Sequence, residues 1–170
     1  DVLGSVAETM ITNNYADHIY TLSKGISWIT FQNECAAIRI DDQLCKQGKG
    51  ITLYSSFKQN LKGDKMYTVF EDSEGDEWIL TNKGISIIGK KQVDSDFPFQ
   101  YIKEADGIIY LVSQSDKLAS YNFKTRQFKF IEIPYHVSMI NEVKKFDSNT
   151  LLLATDNGLI IYKIKEKEFQ

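Results

Sequence analysis

The sequence predicts an all-β fold of about four β-propeller blades, on three observations: a motif that recurs along the chain, a regular spacing of its copies, and strand interiors that are apolar without alternation. The motif reads EWILTNKGISII at residues 77–88 and HIYTLSKGISWI at residues 18–29, which places Lys24 on Lys83, Gly25 on Gly84, Ile26 on Ile85 and Ser27 on Ser86. A third copy, TLLLATDNGLIIY at 150–162, sets Thr155 on Thr81 and Gly158 on Gly84. A fourth, IIYLVSQSDKLASY at 108–121, has one extra residue and Asp116-Lys117 in the place of the glycine. Gly84 and Gly158 lie 74 residues apart, two periods of 37. Gly25 and Gly84 lie 59 apart, so an insertion of about 20 residues is expected near Gln32 to Gln47, the stretch that holds both cysteines. Repeats of roughly 40 residues with several strands each are the signature of propeller blades. The blades are expected at 1–58, 59–98, 99–134 and 135–170.

Within the best copy, Met66 to Asp72 reads as a strand, Ser73 to Asp76 as a turn carrying Gly75, and Glu77 to Asn82 as a second strand. Lys83-Gly84 makes the next turn and Ile85 to Lys90 the third strand, glycine being suited to positive φ. Later repeats add a fourth strand at Gln127 to Ile133, followed by Pro134 in the connection. Trp78-Ile79-Leu80, Ile108 to Val112 and Leu151-Leu152-Leu153 are continuous apolar runs, which predicts burial on both faces, as in sheets stacked between neighbours. No stretch carries sustained helical periodicity between cap signals.

Composition excludes several classes. With 42% hydrophobic and 12% aromatic residues the chain is no disordered tail, and two cysteines are too few for a disulfide scaffold. A net charge of −3, a pI of 5.4 and only two arginines argue against nucleic acid as a partner. The longest apolar run is the five residues Ile108 to Val112, whereas a transmembrane helix needs roughly 20. The chain shows no initiator Met and no signal-peptide pattern, so it is expected to begin inside a longer or processed protein.

Residues 72–88, DSEGDEWILTNKGISII, resemble the repeat signature of the two-component regulator propeller family: an aspartate before a glycine turn, then Trp-Ile, Thr, and Gly-Leu or Gly-Ile. Asp72, Gly75, Trp78, Ile79, Thr81, Gly84 and Ile85 fall on it. The last copy keeps Asp147, Thr155, Gly158 and Leu159 but has Leu152 at the tryptophan position. The first keeps Asp17, Gly25 and Ile26, with Ile19 and Leu22 at the tryptophan and threonine positions. The resemblance implies a fragment of a larger propeller, usually seven-bladed, from the periplasmic sensor region of a hybrid two-component receptor. In that family such regions sense glycan fragments and control a cytoplasmic kinase, so an oligosaccharide ligand and a periplasmic location are implied. No kinase motif occurs in this chain. The competing readings are a kelch-like or WD-like interaction scaffold, whose own signatures are absent, and a propeller enzyme, which needs convergent carboxylates or histidines.

The residues with chemical potential have plain structural alternatives. The acidic turn Asp72 to Glu77 lacks the spacing of a calcium loop and reads as a hairpin turn. His18 and His136 are too few for a zinc site, no nucleophile elbow is present, and no metal or cofactor is expected. Under periplasmic conditions Cys35 and Cys45 are a candidate disulfide across the expected insertion, with two free thiols as the equal alternative. Trp28 and Trp78 suggest sugar stacking, but apolar residues occupy their aligned positions, so core packing is expected. Asp41-Asp42, Asp94 and Asp96 read as solvated loop residues. Tyr135 and His136, after Pro134 in a connection between blades, are the first place expected to touch a ligand. Terminal blade faces rich in Ile, Leu and Tyr are expected to meet a neighbouring blade or a second copy.

Overall fold

Runs of β-branched and aromatic residues, cut at short intervals by Gly, Asn and Asp, leave the backbone little choice but hairpins joined end to end. The protein is described by a computed structural model covering residues 15–31, 36–55, 61–63, 65–90, 93–94, 98–122, 125 and 127–170. Sixteen strands among these form four antiparallel sheets, each a meander in which every strand pairs with the next in sequence. The first sheet holds β1 (Ala16–Thr21), β2 (Ile26–Phe31), β3 (Ala36–Asp41) and β4 (Ile51–Ser55), and the second β5 (Met66–Glu71), β6 (Glu77–Thr81), β7 (Gly84–Ile87) and β8 (Val93–Asp94). The third holds β9 (Phe99–Ala105), β10 (Ile108–Ser113), β11 (Leu118–Asn122) and β12 (Gln127–Ile131), and the fourth β13 (Ile140–Asp147), β14 (Thr150–Thr155), β15 (Gly158–Lys163) and β16 (Glu168–Phe169). Such four-stranded meanders are propeller blades.

The one α-helical turn among the described residues, α1 (Asp42–Cys45), follows β3 and is capped by the Asp41 carboxylate, which accepts from the N–H groups of Gln43 and Leu44. No helix among them is long and apolar enough to cross a membrane. Cys45 ends α1 half-buried, and Cys35 lies outside the described residues.

The chain divides into two units, residues 1–96 and 97–170. In the first unit Ile26, Trp28 and Ala37 of the first sheet pack with Val69 and Ile79 of the second, and with Leu61. In the second unit Ala105, Tyr110, Val112 and Leu118 of the third sheet pack with Ile140, Val143, Leu151, Leu153, Ile160 and Tyr162 of the fourth. Of the continuous apolar runs, Trp78, Ile79 and Leu80 are wholly inaccessible, as are Leu151 and Leu153, while Leu152 between them is half-buried.

The repeat motif is a pair of side-chain locks. Asp72 spans its turn by accepting from the Glu74 and Asp76 amides at 3.0 and 2.9 Å through Oδ1, while Oδ2 accepts the indole N–H of Trp78 at 2.8 Å. One carboxylate thus closes the Gly75 turn and satisfies a buried donor that would otherwise cost about 1–3 kcal/mol. Thr81 Oγ1 donates to the Gly84 carbonyl at 2.9 Å and accepts from the Lys83 amide, and Thr155 repeats this with Gly158 and Asn157. Gly84 and Gly158 sit at φ of 146° and 114°, where a Cβ would be strained.

The first copy differs from its expected alignment. Gly25 lies in the turn between β1 and β2, whereas Gly84 and Gly158 open the third strands of their sheets. The residue in line with Trp78 is therefore Trp28, at the middle of β2, and not the exposed Ile19. Much of the supposed insertion is strand β3, and what is extra in this sheet is α1 and the residues that return the chain to β4. The reason is chemical: Lys-Gly between two strands makes the same turn in whichever hairpin it stands. In the second sheet β6 stops at Thr81 and β7 at Ile87, because Thr81 folds onto its own turn and a tight turn at Ile88-Gly89 follows.

Candidate functional site

Antiparallel meanders bring every second turn of a sheet to one end, and the connections between sheets arrive at that same end. In the second sheet Asn82, next to Thr81, donates its amide to the Lys65 carbonyl and accepts the Lys65 amide through Oδ1, at 3.0 and 3.1 Å. In the fourth sheet Asp156, next to Thr155, does the same: its amide donates to the Met139 carbonyl at 3.0 Å, and Oδ1 accepts from the Ser138 and Met139 amides at 3.2 Å. These N–H donors hold the Asp156 carboxyl below the usual carboxylate range. Each incoming connection is strapped to the turn beside it.

The third sheet lacks this strap. Its residue next to Ser113 is Gln114, and the residue entering β9, in the place of Lys65 and Met139, is Pro98, which has no N–H to donate. The turn widens to residues 114–117, with the Lys117 amide bound to Ser113 Oγ at 3.0 Å. A cavity of about 410 Å³ opens there, lined by Pro98, Gln100, Ser113, Gln114, Ser115, Ser138 and Met139. Gln100 Nε2 donates to Gln114 Oε1 at 3.0 Å across it, and Ser113 and Ser115 share a hydrogen bond of 2.9 Å.

Tyr135 and His136 lie on the connection from β12 to β13. They line a second cavity, of about 250 Å³, with Val137, Thr155, Asn157, Leu159, Ile160 and Gln170. The connection is fixed at several points: Ile140 N–H donates to the Gln114 carbonyl at 2.7 Å, Asn157 Nδ2 to the His136 carbonyl at 3.4 Å, and the Tyr135 hydroxyl to the Phe169 carbonyl at 3.3 Å. No Asp, Glu, Lys or Arg side chain lines either cavity. Amides and hydroxyls in such a wall, with an aromatic ring and aliphatic contacts beside them, suit an uncharged ligand with many hydroxyls.

Asp72, Trp78, Thr81 and Gly84 are buried in turns and core, Gly75 and Gly158 are exposed turn residues, and Thr155, bound to the Gly158 carbonyl, also lines the cavity beside Tyr135 and His136. Both tryptophans are wholly inaccessible and present no ring face to a sugar. His18 is exposed beside Asp17. Among the described residues no group of three or more His, Cys, Asp and Glu side chains is placed to hold a metal ion. The sequence reading passed over Gln100, Gln114 and the serines. The signal was present in the copy at 108–121, which alone loses the glycine, and in Pro98, one of only two prolines.

No protein-family model and no curated protein matches the chain. Among solved structures, the chain is similar to the extracellular domain of a hybrid two-component system of B. thetaiotaomicron, at 20% identity and a TM-score of 0.71, over 92% of this chain and 23% of that one. A second such domain from B. thetaiotaomicron matches at 21% identity and a TM-score of 0.67, over 91% and 21%. Virginiamycin B lyase from Staphylococcus aureus matches at 19% identity and a TM-score of 0.72, over 94% and 56%. The chain spans about a quarter of the length of the two extracellular domains. At these identities the likeness establishes the fold: four consecutive blades of the β-propeller type.

Proposed function

We propose that this chain is an extracytoplasmic sensing module of a hybrid two-component receptor, a binding module rather than an enzyme. The observation that carries the reading is the likeness, over 92% of the chain, to extracellular domains of hybrid two-component systems, and the signature at Asp72 to Ile85 agrees with it. On this reading the location is periplasmic and the ligand a neutral glycan fragment, held where the third repeat departs from its sisters. Gln100 and Gln114 offer paired donors and acceptors to vicinal hydroxyls, Ser113, Ser115 and Ser138 extend the polar wall, and Tyr135 and His136 form the neighbouring contact. Binding there shifts the populations of receptor arrangements and so reaches the kinase of the parent protein.

Isothermal titration of the chain against a panel of neutral oligosaccharides tests the ligand. Saturable binding that falls at least tenfold in Gln114→Ala supports the site, and a panel without binding removes the glycan. The likeness to virginiamycin B lyase favours a second reading, catalysis on the same fold. Product formation from any ligand that binds, followed by mass spectrometry, decides between them.

A further inference from the structure

The two units differ at one equivalent place. In the first, Trp28 of β2 enters the neighbouring sheet, where its indole N–H donates to Glu77 Oε2 at 2.6 Å; Arg39, opposite Trp28 on β3, binds the same carboxylate through Nε and Nη2 at 2.9 and 2.7 Å. In the second unit the position of Trp28 is held by Tyr110, that of Arg39 by Ser120, opposite Tyr110 on β11, and that of Glu77 by Leu151. A tryptophan, an arginine and a carboxylate are replaced by a phenol, a short hydroxyl and an alkyl group. Beside Tyr110 and Ser120 a cavity of about 620 Å³ opens between the third and fourth sheets.

Its floor holds Tyr110 and Tyr162, each only 3% exposed, with rings 6.2 Å apart, and the Phe169 ring lies 4.7 Å from Tyr162, tilted by 35°. Neither hydroxyl has a hydrogen-bond partner among the described residues, although both belong to side chains otherwise withdrawn from water. Since no buried side-chain donor is left unsatisfied among the described residues, what stays accessible of these two side chains is at the cavity wall, where an entering ligand meets it. The rim carries Lys129, Lys165 and Lys167 against the two carboxylates Asp106 and Glu132. Lys129 and Lys167 form no ion pair with a described residue, and Glu166, between Lys165 and Lys167, is turned to Asn149 Nδ2 at 2.9 Å.

We propose that this cavity is a second ligand site, for a small organic anion with a planar apolar body. The body lies against Tyr162 and Phe169, the Tyr110 and Tyr162 hydroxyls donate to its polar atoms, and Lys165 and Lys167 hold its negative group. The site is independent of the neutral cavities at the β12–β13 connection and of the sensing role.

The test is fluorescence titration of the whole chain with 8-anilinonaphthalene-1-sulfonate, a planar aromatic anion, at pH 7. The expected result is saturable single-site binding that weakens tenfold or more in K165E/K167E, and several-fold in Tyr110→Phe and Tyr162→Phe, whose melting temperatures do not fall. Phe146→Ser, which removes an exposed apolar residue elsewhere on the fourth sheet, leaves binding intact. Absence of saturable binding, binding that survives K165E/K167E, or binding lost in Phe146→Ser overturns the proposal.

Discussion

Trp28 and Tyr110 stand at the same position of successive units, and their surroundings show how one repeat serves two ends. Around Trp28 every polar atom is matched within the protein: the indole meets Glu77, and Glu77 meets the guanidinium fork of Arg39. That interface is closed. Around Tyr110 the matching groups are gone, replaced by Ser120 and Leu151, and the hydroxyl looks into open volume. A repeat preserves the backbone that stacks sheets, while side chains at the interface decide whether two sheets seal or leave a chamber.

The sharpest way to break the contrast is Trp28→Ala, which opens in the first unit the volume that the second already has. It is expected to cost about 3–5 kcal/mol, read as a lower urea midpoint with an unchanged slope. Arg39→Ala comes next. It leaves the Glu77 carboxylate, only 13% exposed, without its ion pair, at a cost near the lower end of the roughly 3–5 kcal/mol seen when a buried pair loses one partner. Glu77→Gln, which keeps an acceptor for the indole, is expected to cost less than Arg39→Ala in the same measurement.

Alkaline titration separates the units by another route. Burial pushes the Tyr110 hydroxyl from 10.0 up to about 12. Between those values the folded protein holds a proton that the unfolded chain has released, so stability falls as pH rises above 10. Melting temperatures from pH 9 to 11.5 are expected to fall less steeply in Tyr110→Phe than in the parent. The smallest effect is local. Asp156, held below the usual carboxylate range, supports the connection above the ordinary carboxylate value and loses that support as pH falls through its depressed one. The Ser138 and Met139 amide resonances are expected to shift together at that lower pH, and to be insensitive there in Asp156→Asn.

Much of the fold is legible in the residues alone. Trp78-Ile79-Leu80 could only be a strand covered on both faces, and Thr81 with Gly84 could only be a tight hairpin. The first copy misleads because KGIS fits a turn by local chemistry alone, and nothing local distinguishes the first hairpin of a sheet from the second. Strand pairing distinguishes them: Trp28 lies opposite Tyr20 and Arg39, as Trp78 lies opposite Phe70 and Ile87. Tyr135 and His136 are visible as connection residues after Pro134. Gln100 and Gln114 are not, since they meet only because Phe99 pairs with Ser113 across β9 and β10.

The sequence by itself determined the all-β class, the number of sheets and the strands and turns of the best copy, because those depend on backbone preferences and on apolar content within a few residues. The tertiary structure decided which copy of the repeat seals and which stays open. That outcome rests on whether a side chain at the interface finds its partner in the next sheet, as Trp28 finds Glu77, or opens onto a cavity, as Tyr110 does, and no local pattern encodes it.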